Sequence, residues 1–319
     1  MALRNTGIVA VSARRYHAGM SCDALRDSED CADAGGSSDV ARPVVFAAEE
    51  VRCAVPADGG VRTIFDGLSF RIGAGEIVDL TGPSGCGKST LLTAFARLNP
   101  HADGRFRLRG RDADAFTPQQ WRRRVAYLPQ KPVLPGASVA DAIRLPFTFD
   151  ARRSDVDVAT GRSPLPRPSW PARLRAAGRG GADDPSRLLS DDRIRATLDR
   201  MGCADVDLTR TPHDLSGGQA ARVALARTLL TAPDVLLADE VDAGLDDRNA
   251  DLVAAMLADA AAHGMAIVRI RHRPPDGRAT RIVVLDGGVL RDREPRGNDT
   301  QDGDGAHGNH GDTIREALA

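Results

Sequence analysis

Glu76-Ile77-Val78-Asp79-Leu80-Thr81-Gly82-Pro83-Ser84-Gly85-Cys86-Gly87-Lys88-Ser89-Thr90 runs from an apolar strand through a glycine-rich turn into a helical pattern. Residues 82–89 fit G-x-x-x-x-G-K-[ST], in the strand-to-helix setting that gives the motif its chemistry. The glycines let backbone amides turn inward around phosphate oxygens, and the helix N-terminus adds partial positive charge. Lys88 is placed to reach terminal phosphates, and the Ser89 hydroxyl to bind Mg²⁺. No base neighbours Cys86 in sequence, so it reads as a space-filling residue rather than a nucleophile.

Outward from this loop the chain reads as α/β. Short apolar runs recur at 43–46, 68–72, 76–80, 125–128, 235–238 and 266–268, separated by helix-length stretches. Buried parallel strands with helical crossovers give such a pattern. The spacing predicts a helix over 88–97 and another from Ala220 to Leu230. Residues 1–43 hold no sustained period and read as a disordered extension. Their arginines Arg4, Arg14 and Arg15 leave a transit peptide open, whereas Ile8-Val9-Ala10-Val11 is too short for a secretory apolar region. A Pro/Arg-rich stretch at 151–187, eight arginines against four aspartates, reads as a flexible insertion, and 293–319 as a Gly/Asp/Asn-rich disordered tail. That leaves 44–292 as the folded domain.

Composition narrows the function. Of 319 residues, 43 are basic and 44 acidic, a net charge of −1, so no global basic field argues for nucleic acid. Only Lys88 and Lys131 are lysines, so 41 of the basic residues are arginine. Against that skew Lys88 stands out, because a compact ammonium suits a crowded phosphate loop better than a broad guanidinium. No run of 18 apolar residues is long enough to span a membrane. Five scattered cysteines form neither a disulfide framework nor a CxxC zinc pattern.

Two more motifs carry chemistry. Val235-Leu236-Leu237-Ala238-Asp239-Glu240 ends a buried strand in paired acids: Asp239 as a Mg²⁺ ligand, Glu240 as the group that polarises an attacking water. Leu215-Ser216-Gly217-Gly218-Gln219 opens the helix ending at Leu230 and makes a second anion-binding N-terminus. One small domain rarely needs two such ends for one triphosphate, which points to a composite site shared between two copies.

With these residues in this order, the chain resembles the ATP-binding-cassette (ABC) ATPases through Gly82–Thr90, Gln130, Leu215–Gln219, Val235–Glu240, Ala243–Asp246 and His272. The resemblance implies a P-loop fold with a mostly parallel sheet core, an antiparallel β subdomain and a helical subdomain carrying Leu215–Gln219. It implies a head-to-tail dimer in which Gly82, Pro83, Ser84, Gly85, Cys86, Gly87, Lys88, Ser89 and Thr90 of one copy sandwich ATP against Ser216, Gly217, Gly218 and Gln219 of the other. By the same resemblance Gln130 contacts Mg²⁺ or the attacking water, joining Ser89 and Asp239 at the metal. Asp246 touches the opposite copy, and His272 holds the γ-phosphate and orients Glu240. A separate membrane-spanning permease is the implied partner, with the chain on the cytoplasmic face of the membrane and no nucleic acid bound. The phosphate loop and Leu145-Pro146-Phe147 look like the ATPase of bacterial iron-export systems. A soluble ATP-gated dimerisation module with little turnover is the alternative. Three departures from the family are visible: Val55 where an adenine-stacking aromatic is usual, Val241-Asp242 in place of Pro-Thr, and arginines at 269, 271 and 273 in and after an otherwise apolar strand.

Overall fold

Alternating burial along two 14-residue runs gives β1 (Val44–Ala57) and β2 (Gly60–Gly73), an antiparallel pair running from Phe46↔Ile72 to Ala57↔Gly60, with bulges that shift the register between Ala48 and Ala54. Outward Glu49, Arg52, Arg62 and Arg71 interrupt the apolar positions, so each long strand shows only a short apolar run in sequence. The computed structural model describes residues 42–57, 60–149 and 189–293. The extension over 1–41, the insertion expected at 151–187 and the tail beyond 293 lie outside these residues. Arg42 and Pro43, placed by sequence in the extension, bond to Gly75 and Ala74; Arg293, placed in the tail, pairs with Ile282.

β3 (Ile77–Thr81) leads through the glycine-rich loop into α1 (Lys88–Phe95). The helix stops two residues short of the expected Arg97, which takes a left-handed φ of 54°. The Arg97 and Leu98 amides bond back to Ala94 and Thr93, closing a Schellman-type cap. β4 (Ala102–Leu108) and β5 (Arg111–Asp112) complete a four-stranded antiparallel sheet, order β2-β1-β4-β5. Next come α2 (Pro118–Arg124), opened by a Thr117/Gln120 capping box, β6 (Val125–Leu128), α3 (Val139–Thr148) and α4 (Asp191–Arg200). The chain ends through α5 (Gly217–Leu230), β7 (Val235–Asp239), α6 (Asp247–Ala262), β8 (Ala266–Ile270), β9 (Arg281–Asp286) and β10 (Val289–Arg293).

The second sheet has the order β10-β9-β3-β8-β7-β6; its strands are parallel except at the β9–β10 edge. Both faces are covered, and side-chain parity sorts the core. Val235, Leu237, Val268 and Ile270 pack with Phe46, Phe95 and Trp121 toward the antiparallel sheet. Leu236, Ala238 and Ile267 pack with α3, α5 and α6 on the other face. Each buried Val, Leu or Ile side chain contributes about 1.5–3 kcal/mol, and Trp121 satisfies its indole N–H on the Phe95 carbonyl at 3.0 Å. The expected architecture is the one observed: parallel core, antiparallel subdomain, and a helical layer bearing Leu215–Gln219.

Arg269 breaks this apolar pattern one residue before the end of β8, with 2% of it exposed. An unpaired guanidinium there would cost several kcal/mol. Four hydrogen bonds offset that cost: to Asp79 on the adjacent strand at 2.5 and 3.4 Å, and to Asp276 at 2.9 and 2.7 Å. Burial pushes the Asp79 carboxyl upward, beyond what Arg269 pulls back. At Asp276 burial acts in the same sense and is the largest single influence, but Arg269, the Arg278 amide and Arg271 together outweigh it and hold the carboxyl below its usual range.

Candidate active site

The glycine-rich loop is fixed from outside as well as within. Gly82, Gly85 and Gly87 all have positive φ, at 142°, 77° and 102°. A Cβ on Gly82 would lie 2.1 Å from the Leu285 carbonyl oxygen, and one on Gly87 would lie 2.6 Å from Ile64 Cγ2. Lys88 is buried and donates to the carbonyls of Gly82 and Pro83 at 2.9 and 3.0 Å, so the ammonium sits inside the curl of the loop. No side chain caps α1, which leaves its first-turn amides as donors around that ammonium. Cys86 packs half-buried against the core beneath the loop, as a space-filler would. Pro83, Ser84 and Ser89 are exposed at its mouth and Thr90 is half-buried behind them.

Three chain segments converge on Glu240. Gln130 Nε2 donates to Glu240 Oε2 at 2.6 Å, and His272 Nε2 lies 2.6 Å from Glu240 Oε1. Glu240 is in the left-handed region (φ 50°), and its amide is held by the Ile270 carbonyl at 3.2 Å. The positive φ turns the carboxylate out of the line of β7. Asp239 stays in that line, buried, and accepts from Tyr127 Oη at 2.9 Å. Burial first, then the adjacent carboxylate, pushes the Tyr127 phenol far up, which keeps it a donor. Sequence reasoning missed Tyr127, which reads as one more apolar residue of β6; only the pairing of β6 with β7 brings it to Asp239.

Ser216 caps α5: its Oγ accepts from Gln219 N at 3.2 Å while Gln219 Oε1 accepts from Ser216 N at 3.0 Å. Gln219 Nε2 reaches on to Asp205. At Gly218 the space is tight, since an added Cβ would meet Leu245 Cδ2 at 3.0 Å and that side chain would have to shift. Behind it Arg222 joins the Gly218 carbonyl to Asn249 Oδ1 at 3.1 and 2.5 Å. Asn249 in turn donates twice to Asp246, the cap of α6. The Asn249 amide holds the Asp246 carboxyl below its usual range. Leu215–Gln219 and Asp246 are thus one connected unit. Among the described residues no hydrogen bond joins that unit to Gly82–Thr90.

Two further features flank these groups. Val55 is half-buried on the β1–β2 hairpin opposite Arg62, so its position presents an aliphatic rather than an aromatic surface. A mainly apolar groove of about 530 Å³ runs between α2, β6 and the ends of α3 and α5, lined among others by Leu98, Tyr127, Pro146, Phe149 and Arg227. No helix among the described residues is long and apolar enough to cross a membrane.

The ABC transporter family profile matches residues 65–243. The hemin import ATP-binding protein HmuV of Nocardia farcinica is 38% identical over 244 residues, covering 75% of this chain and 73% of that protein. The probable iron export ATP-binding protein FetA of Escherichia coli is 33% identical over 190 residues, 60% of this chain and 69% of its own. Longer ATP-binding/permease relatives are spanned over about a third of their length. A bacterial ABC transporter cassette solved as a dimer superposes with a TM-score of 0.59 at 21% identity, over 79% of this chain and all of that one.

Proposed function

Because the chain belongs to the ABC transporter family, we propose that it hydrolyses ATP in a head-to-tail pair of copies and drives transport through a separate permease. The observation that carries this reading is the grip on Glu240. Gln130 and His272, from two other loops, each hold one of its carboxylate oxygens at 2.6 Å. Each oxygen keeps a further lone pair, so the carboxylate is aimed yet still able to accept from water. In this reading Glu240 takes the proton of the water that attacks the γ-phosphate. With its proton on Nε2, His272 donates to Glu240 and sets its direction. Lys88 and the loop amides take the β- and γ-phosphate oxygens. Ser216 and Gly218 close the site from the second copy, with Asp246 beside them at the interface.

Mg²⁺ fits the residues present. Ser89, Asp239 and Gln130 offer a hydroxyl, a carboxylate and an amide oxygen, the hard donors this ion takes, alongside substrate phosphates. Tyr127 occupies Asp239 Oδ2 and leaves Oδ1 for the cation. Bound there, the ion would neutralise charge developing on the transferred phosphoryl group. Val55 offers adenine apolar contact without stacking, which favours loose selectivity for the base.

The apolar groove lined by Tyr127, Pro146 and Phe149 is the proposed seat of the permease, and the cytoplasmic face of the membrane is the proposed location of the chain. Tyr127 lines that groove and bonds Asp239, so one side chain spans the docking surface and the metal site. The names of both relatives point to iron-containing cargo, and iron, free or chelated, is the proposed cargo class. Steady-state phosphate release tests the chemistry. Glu240→Gln is expected to abolish turnover and trap an ATP-held dimer, and Lys88→Ala to weaken nucleotide binding. Equal release by wild type and Glu240→Gln would overturn the assignment of Glu240. Absence of turnover in the wild type would favour the dimerisation module. Recovery of a multi-span permease on co-purification supports the transport role.

A further inference from the structure

His272 lies between two arginines that hold the loop following Glu240. On one side Arg271 Nε donates to Asp242 Oδ2 at 2.9 Å, a pair whose side chains are only 8% and 9% exposed. On the other, Arg273 bonds Asp247 Oδ1 at 2.8 Å and the Leu245 carbonyl. Arg271 also reaches back to Asp276 at 2.9 Å, on its own loop. Asp242 is two residues past Glu240, and Arg271 is one residue before His272. The two loops that present Glu240 and His272 to each other are therefore stapled beside the point where those side chains meet.

We propose that Arg271 and Asp242 form a positioning pair that holds His272 against Glu240 during hydrolysis. This rests on the assignment of Glu240 and His272 given above. The pair touches neither nucleotide nor water; it acts through the two side chains it aligns. A flexible contact could not do this, because a 2.6 Å bond between partly exposed groups is easily exchanged for water. A buried, charge-assisted bond between side chains of the two loops that carry them resists that exchange. Its position has a second consequence. The Val241–Asp247 stretch also carries Asp246, the residue proposed at the dimer interface, so displacement of the second copy would reach His272 through the same staple. Asp242 has no other side-chain hydrogen-bond partner among the described residues, which leaves it available for this one task.

The test uses full-length chain and reads kcat, KM for ATP and the dissociation constant for ATP in parallel. Asp242→Ala is expected to lower kcat at least tenfold, about 1.4 kcal/mol of barrier, with KM and ATP affinity within twofold of wild type. Asp242→Asn, which keeps an acceptor oxygen at the same place, should restore most of that loss. The double variant Asp242→Ala/Arg271→Met should be no slower than the worse single one, since both remove one staple. If Asp242→Ala does not fold, Arg271→Lys carries the test, because one ammonium cannot reach both Asp242 and Asp276 and the same selective fall in kcat is expected. A folded Asp242→Ala or Arg271→Lys variant with wild-type kcat would overturn the proposal. So would kcat and ATP affinity falling together, which marks a general structural role. Glu240→Gln measured alongside separates the two levels: an active Glu240→Gln removes the site reading itself, whereas an inactive one with normal Asp242→Ala removes only the positioning pair.

Discussion

Tyr127 Oη donates to Asp239 Oδ2 at 2.9 Å, from a strand that pairs with the one Asp239 ends. Asp239 is 4% exposed, and Tyr127 is the side-chain donor that fixes one of its oxygens. A hydrogen bond to a charged group contributes about 1.5–3 kcal/mol. Tyr127→Phe should therefore let the carboxylate turn and raise the magnesium concentration for half-maximal ATPase activity several-fold. ATP binding measured without magnesium should not change. An unaltered magnesium midpoint would show that Asp239 is oriented without the phenol.

What sequence alone disclosed of this site has a physical pattern. Gly82–Ser89 and Leu215–Gln219 are local: a turn, its phosphate-facing amides and the helix it opens are adjacent in the chain, so residue type and order suffice. Asp239 and Glu240 read almost as well, because an apolar run ending in acids is a buried parallel strand reaching water. The supporting contacts did not read at all. Arg269 and Asp79 are 190 residues apart and meet only because β3 and β8 pair. In sequence the arginines at 269, 271 and 273 look like disruptions of a strand; in the fold each is matched by an acid. The antiparallel sheet was half legible for a different reason: bulges between Ala48 and Ala54 shift the phase of the in–out alternation, so the long strands keep no single period of two.

The loop glycines separate steric from conformational cost. Gly82→Ala would drive a methyl to 2.1 Å from the backbone oxygen of Leu285, which has no side-chain freedom with which to yield. Gly85→Ala meets nothing within 4 Å and incurs only the left-handed φ, about 1–2 kcal/mol. Thermal unfolding without nucleotide should therefore show a clearly larger loss for Gly82→Ala than for Gly85→Ala. Equal losses would mean that the Leu285 contact relaxes freely.

Asp79 and Asp276 share Arg269 yet should answer differently to neutralisation. At Asp276 burial raises the carboxyl, but Arg269, the Arg278 amide and Arg271 together outweigh it and the folded pKa is lowered. Its ionisation thus stabilises the fold fully above the unfolded value, about 3.9, and that stability is lost as pH falls through the lower folded value. At Asp79 burial outweighs the same arginine and the folded pKa is raised, so stability is lost as pH rises through it. At pH 7 Asp276→Asn should cost on the order of 1–3 kcal/mol, some degrees of Tm, while Asp79→Asn costs less because it removes a charge the fold carries at a penalty. The Asp276→Asn deficit should also shrink as pH is lowered below about 4. Scanning calorimetry of both variants at pH 7 and in acid decides the matter. An Asp79→Asn loss equal to or greater than that of Asp276→Asn would mean that Arg269 depends chiefly on its strand neighbour, and the division of roles drawn from burial would fail.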